Sequence, residues 1–108
     1  MRIALVQMRC EKGDIRGNLR RIGDEIAAAE ERGVDLIVFP EMSISGYVDP
    51  TTMPDAVMEL DAPAIAEFVR MTAGTRVSAI AGFVELNPDG KPFITQIVAR
   101  DGKLDGFY

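Results

Sequence analysis

Apolar positions follow two different rhythms along this chain. Ile3-Ala4-Leu5-Val6-Gln7-Met8 is a short apolar run, which predicts a buried strand at the start. Leu19, Ile22, Ile26 and Ala29 then recur at helical spacing, with Arg20, Arg21, Asp24, Glu25 and Glu31 on the other face. Asn18 is placed to cap this helix and Gly33 to end it, with Arg32 favourably in the last turn. Val34 to Phe39 predicts a second strand. Within it, Leu36-Ile37-Val38-Phe39 is apolar without interruption, the pattern of a strand buried on both faces. Strand, helix and strand in this order make a βαβ unit, with parallel neighbours and a right-handed crossover.

The second half alternates in the same way. Asp61 can cap a helix that tolerates Pro63 in its first turn, with Ile65, Phe68, Val69 and Thr72 on the buried face and Gly74 at the end. Val77 to Val84 predicts a further buried strand, and Ser78, Ala79, Ala81 and Gly82 allow a neighbour to approach it closely. A turn-rich stretch, Asn87 to Pro92, leads to two strands, Phe93 to Arg100 and Lys103 to Tyr108, joined as a hairpin through Asp101-Gly102. The fold class is therefore α/β, with a βαβ start, a sheet that begins parallel and a C-terminal β-hairpin. The chain stops within what reads as a strand, so residues 1–108 are expected to be the N-terminal part of a single domain.

Pro40 to Pro54 is the long connection, with a short helical turn expected around Asp55 to Glu59. Loops of this length in compact domains usually carry function. At its head Pro40 ends strand pairing, and Glu41 is set at the carboxyl end of an interior strand, where ligands and catalytic groups collect in open α/β sheets. A carboxylate at the rim of an apolar core tends towards a raised pKa, which suits a general base or acid.

Composition narrows the chemistry. The net charge of −5, with no basic run, argues against nucleic acid as a partner. The apolar runs are too short to span a bilayer, and the N-terminus turns polar too soon for a signal peptide, so no membrane association and a cytoplasmic location are expected. The chain has no histidine, which removes Ser-His-Asp and Cys-His catalysis and the usual zinc sites. Cys10 is the single cysteine, so no internal disulfide forms.

Asp35-Leu36-Ile37-Val38-Phe39-Pro40-Glu41-Met42 with Ser45-Gly46-Tyr47, the opening Ile3 to Met8, Asn18-Leu19, Ala81-Gly82-Phe83-Val84-Glu85 and the Asp101-Gly102-Lys103 hairpin together resemble the nitrilase superfamily of carbon–nitrogen hydrolases. The resemblance covers essentially the whole chain. It implies an α-β-β-α sandwich, usually assembled as a homodimer or higher homo-oligomer. It also implies hydrolysis of a small-molecule amide or nitrile by a Glu-Lys-Cys triad, without metal or organic cofactor. Glu41 matches the glutamate. The lysine and the nucleophilic cysteine of the family fall beyond Tyr108, so the 108 residues alone are expected to be inactive and to expose half a core.

Other residues weigh less. Cys10 follows a strand end, as Glu41 does, but does not stand at the family's nucleophile position and reads as a small packed residue. Lys103 lies on the wrong side of the motif for the triad lysine. Tyr47 either lines the substrate pocket or packs the loop, and Gly46 is a backbone device. Glu85 ends a strand near the rim and either faces the same cleft or, the reading favoured, is a solvated loop end. Two competing readings remain: a truncated, non-catalytic homologue binding a partner through its open sheet edge, and a flavodoxin-like nucleotide-binding domain. The latter lacks a glycine-rich phosphate loop after the first strand.

Overall fold

The computed structural model describes residues 1–108. Its elements are β1 (Ile3–Leu5), α1 (Ile15–Glu31), β2 (Leu36–Val38), a 3-10 turn (Pro54–Ala56), α2 (Pro63–Arg70), β3 (Ser78–Glu85), β4 (Phe93–Arg100) and β5 (Lys103–Phe107). The five strands lie in one sheet in chain order, β1-β2-β3-β4-β5. β1, β2 and β3 are parallel, and β3, β4 and β5 are antiparallel. The parallel start and the hairpin end agree with the sequence pattern. The chain-order topology also separates this sheet from the flavodoxin order.

Both crossovers move one strand along in the same direction, so right-handedness puts α1 and α2 on the same face. That face holds the core. Leu19, Ile22, Ile26 and Ala29 of α1 and Ile65, Phe68 and Val69 of α2 pack onto Ile37, Ala79, Ala81, Phe83, Ile97 and Ala99. The helical periodicity read from the sequence is the buried stripe observed, Thr72 included.

The sheet's other face has no such cover. Side chains alternate across a strand, so the register puts Leu5, Val38, Ile80 and Val98 in one row on this outer face, ending at Gly106. Leu5 is 78% exposed and Ile3 53%, while Leu36, Val38, Ile80 and Val98 are half-buried. The expectations that β1 is buried and that β2 is buried on both faces are thus corrected. Their apolar character matches a face that these 108 residues leave open. These 108 residues form one helical layer on one five-stranded sheet. No helix is long and apolar enough to cross a membrane.

Element ends show what the pattern missed. α1 starts at Ile15 and is capped by Asp14, whose carboxylate accepts from the Gly17 N–H at 3.1 Å, so Asn18 is an interior helix residue. Asn18 is fully buried, which removes it from capping. α1 ends at Gly33 as read, with Arg32 as its C-cap and not in the last turn: Gly33 is left-handed (φ 68°), its N–H meets the Glu30 carbonyl at 3.1 Å and the Val34 N–H meets that of Ala29 at 3.0 Å, a Schellman closure. α2 has Ala62, not Asp61, at its N-cap, with no side-chain cap, and Pro63 at its first position. β1 stops at Leu5 instead of Met8: the Val6 N–H makes a last bond to the Val38 carbonyl at 2.9 Å, where β2 ends. Asp101 (φ 49°) and Gly102 (φ 72°) form the predicted tight hairpin turn.

Asp35 ties the edge together just before β2. Its carboxylate accepts from the Arg2 N–H at 2.7 Å and faces the Arg76 guanidinium at 3.6 Å. That N–H bond first, and then Arg76, hold its pKa below the usual carboxylate range. A folded-state pKa below the unfolded one stabilises above the unfolded value, about 3.9, and the contribution disappears as pH falls through the folded value. Wild type should therefore melt higher than Asp35→Asn above about pH 5, and the two should converge as pH falls through the folded value. A melting difference that stays constant through this range would contradict the assignment.

Candidate active site

The path of the chain after β2 decides where Glu41 stands. The Phe39 N–H makes one last ladder bond to the Ile80 carbonyl at 2.9 Å, and Pro40 has no N–H with which to continue. The chain lifts over the outer face and turns back, closed by Ser43 N–H to Pro40 carbonyl at 3.1 Å and Gly46 N–H to Met42 carbonyl at 2.8 Å. It rejoins β3 at Ile44, whose N–H donates to the Gly82 carbonyl at 2.9 Å. This detour leaves β3 without regular strand partners at Gly82 and Val84. Two serine hydroxyls substitute for them: Ser43 Oγ accepts from the Gly82 N–H at 3.4 Å and Ser45 Oγ from the Val84 N–H at 3.0 Å. Buried backbone donors need partners, so these serines do the work of strand carbonyls.

Met42 to Gly46 is buried throughout. It therefore behaves as a plug in the fold, not as a surface loop. Met42 packs with Val48, Ala56 and Val84, while Ile44 enters the main core. Gly46 is left-handed (φ 72°), and a Cβ there would stand 2.7 Å from both the Glu11 carbonyl oxygen and Lys12 Cα. Its reading as a backbone device holds.

Asn18 fixes the plug from the helix side. Its Nδ2 donates to the Glu11 carbonyl at 2.8 Å and to the Ile44 carbonyl at 3.0 Å. Its Oδ1 accepts from the Glu11 N–H at 3.0 Å and from the Arg21 guanidinium at 2.7 Å. One buried amide thus joins the loop after β1, the loop after β2 and α1.

Glu41 caps this construction from outside. Its carbonyl accepts from Gln96 Nε2 at 2.6 Å, above Gly82. Its side chain is exposed and makes no hydrogen bond or ion pair within the chain. The apolar rim expected around the carboxylate is not formed by these residues. The chain's concavities, from about 160 to 610 Å³, are lined by other residues.

The other candidates separate from it. Tyr47 is 59% exposed, so Ile44, Val48 and Met42 hold the loop, not its ring. The Cys10 thiol contacts the Met8 carbonyl at 3.6 Å. Burial pushes its pKa up, against a partial opposing pull from Arg21, which disfavours the nucleophilic thiolate. No hydrogen bond links it to Glu41. Glu85 is half-buried within β3 and accepts from Thr95 Oγ1 at 2.6 Å, so it is not a solvated loop end. Lys103 is exposed at the hairpin.

The carbon–nitrogen hydrolase family profile matches residues 2–108. The chain belongs to this family. Among its curated relatives, the glutamine-dependent NAD(+) synthetase of Thermotoga maritima is 29% identical over all of this chain and 19% of its own length. A formamidase of Bradyrhizobium diazoefficiens is 28% identical over 98% of this chain and 33% of its own. This carbon–nitrogen hydrolase chain therefore spans between about a fifth and a third of those relatives. Among solved structures, the Nesterenkonia AN1 amidase of the nitrilase superfamily superposes with a TM-score of 0.80 at 28% identity, covering 100% of this chain and 42% of the amidase. A glutamate-to-glutamine mutant of that amidase, with acrylamide added at its active-site cysteine, superposes with a TM-score of 0.81 at 26% identity, over 100% and 43% of the two chains.

Ser43 and Gln96 are structural residues that the sequence pattern does not single out; Asn18 it reads as a helix cap and Ser45 as part of the family motif. Ser43 and Ser45 left one trace, their alternation with Met42 and Ile44, which is strand-like. Asn18→Ala in the complete protein should cost about 2–4 kcal/mol in denaturant unfolding, because it strands buried groups on three segments. A loss under about 0.5 kcal/mol, as for an ordinary surface residue, would contradict its role as the joint.

Proposed function

We propose that the complete protein hydrolyses a small amide or nitrile and that Glu41 is its general base. The observation that carries this is the placement of Glu41. Its carboxylate is free on a loop that is hydrogen-bonded and packed into the sheet at every residue after it up to Gly46. It lies beside an apolar sheet face that these residues leave open. A rigid backbone under an uncommitted carboxylate is what proton transfer needs. The names of the relatives, formamidase, amidase and glutamine-dependent synthetase, point to the same class of bond.

The rest of the domain supplies a second sheet on the outer face, giving the α-β-β-α sandwich, and with it a lysine and a cysteine beside Glu41. Glu41 takes the thiol proton, and the thiolate attacks the amide carbon. The lysine stabilises the charge that develops on the carbonyl oxygen. The C–N bond breaks as Glu41 returns the proton to the leaving nitrogen, which departs as ammonia or amine. Glu41 then deprotonates a water, which cleaves the thioester and releases the carboxylic acid. Tyr47, exposed just past the turn, forms part of the substrate wall. The complete protein acts as a homodimer or higher homo-oligomer.

A second reading draws on the same outer face: a non-catalytic homologue that covers Ile3, Leu5 and Ile94 with a partner. Ammonia release from formamide, acetamide, glutamine and acetonitrile by the complete protein separates the two. The hydrolase reading expects release from at least one, and Glu41→Gln should lower that rate by about 10³-fold or more with an unchanged melting temperature. Ammonia release from none of them, or a Glu41→Gln rate near wild type, overturns it.

A further inference from the structure

Gln96 stands apart from its neighbours in β4. On the outer face it lies between Ile94 and Val98, and it pairs with Gly82 across the β3–β4 register. A Cβ built on Gly82 would collide with both the Glu41 carbonyl oxygen and the Gln96 amide. The missing side chain therefore leaves a notch that two groups fill together: the Glu41 carbonyl and the end of the Gln96 side chain. Within it Nε2 donates to the carbonyl at 2.6 Å, joining residues 55 apart in sequence. The other bonds of the loop hold Pro40, Met42, Ser43, Ile44, Ser45 and Gly46. The bond from Gln96 is the one that reaches the Glu41 peptide from another strand.

We propose that Gln96 is the positioning residue for the catalytic base, with Gly82 as the notch that admits it. The inference rests on the reading of Glu41 as that base. The chemistry required is narrow. The residue must reach from β4 across the glycine, and glutamine carries one methylene more than asparagine. It must also donate, since a carbonyl only accepts. A glutamine meets both conditions. Releasing the Glu41 carbonyl lets its Cα and carboxylate shift, and a displacement of about 1 Å from productive geometry costs about 100-fold in rate.

Two variants of the complete protein, assayed by ammonia release from its best amide substrate, test this. Gln96→Met keeps length but cannot donate. It should lower kcat by about 10–100-fold with KM within about twofold of wild type, since the base acts in the transition state and not in substrate binding. Placed on top of Glu41→Gln, it should lower the residual rate no further, because the two residues act as one unit. Gln96→Glu matches the length and replaces the donor by a carboxylate that repels the carbonyl. Its rate relative to wild type should rise as pH falls and the carboxyl regains a proton to donate.

A wild-type kcat in Gln96→Met overturns the proposal. So does an equal loss in both backgrounds, or a Gln96→Glu ratio that is flat with pH. If Glu41→Gln itself keeps wild-type turnover, the base assignment fails and takes this inference with it. If Glu41→Gln is inactive and Gln96→Met is not impaired, the positioning role alone fails.

Discussion

The structure around Glu41 depends on one close approach: the backbone after β2 crosses β3 at a residue without a side chain. Gly82 allows the Glu41 carbonyl to settle onto the sheet, where any Cβ would hold it off. Everything nearby follows from that contact. The chain must leave the ladder at Pro40, so Ser43 and Ser45 have to satisfy the donors that β2 abandons. The returning segment must re-enter the core through Ile44, so the turn at Gly46 must be left-handed and tight against Glu11 and Lys12. Asn18 then holds those two loops to α1. Because interiors are close-packed, such a chain of contacts resists small displacements of the backbone that carries Glu41, while the carboxylate itself stays exposed.

The outer face completes the physical picture. One side of the sheet is packed by two helices. The other side presents Leu5, Val38, Ile80 and Val98 in a row beside the Glu41 loop. Glu41 stands in water here, and the apolar surroundings suited to a general base are not made by these residues. A second layer over the outer face would bury the apolar row and desolvate the carboxylate in the same step. Folding of the complete domain and activation of its base would then be one event.

How far the sequence reveals this depends on which residues carry a periodic signal. The stripe of Leu19, Ile22, Ile26 and Ala29, the hairpin at Asp101-Gly102 and the break at Pro40 are local, and the structure contains all three. Glu41 was legible because a proline and an apolar run mark its position. Asn18 was misread as a cap because its sequence neighbourhood, a small polar residue ahead of an apolar stripe, is also that of a helix start. Its actual partners lie on segments 7 and 26 residues away. Gln96 gave less still, as a polar residue on one face of a strand, and its partner is 55 residues away. The burial of β1 is overestimated because apolar composition does not by itself tell which face of a strand these residues cover, and Ile3 and Leu5 stay exposed.

The central claim is that Glu41 is the fixed corner of a catalytic triad assembled on this sheet. A crystal structure of the complete protein with a bound amide tests it most directly. The account predicts the Glu41 carboxylate within about 3–4 Å of a cysteine sulfur and a lysine ammonium, all enclosed under a second sheet with the amide carbon facing the thiol. A Glu41 carboxylate that still faces solvent, with the amide bound elsewhere and no cysteine beside it, would contradict the account.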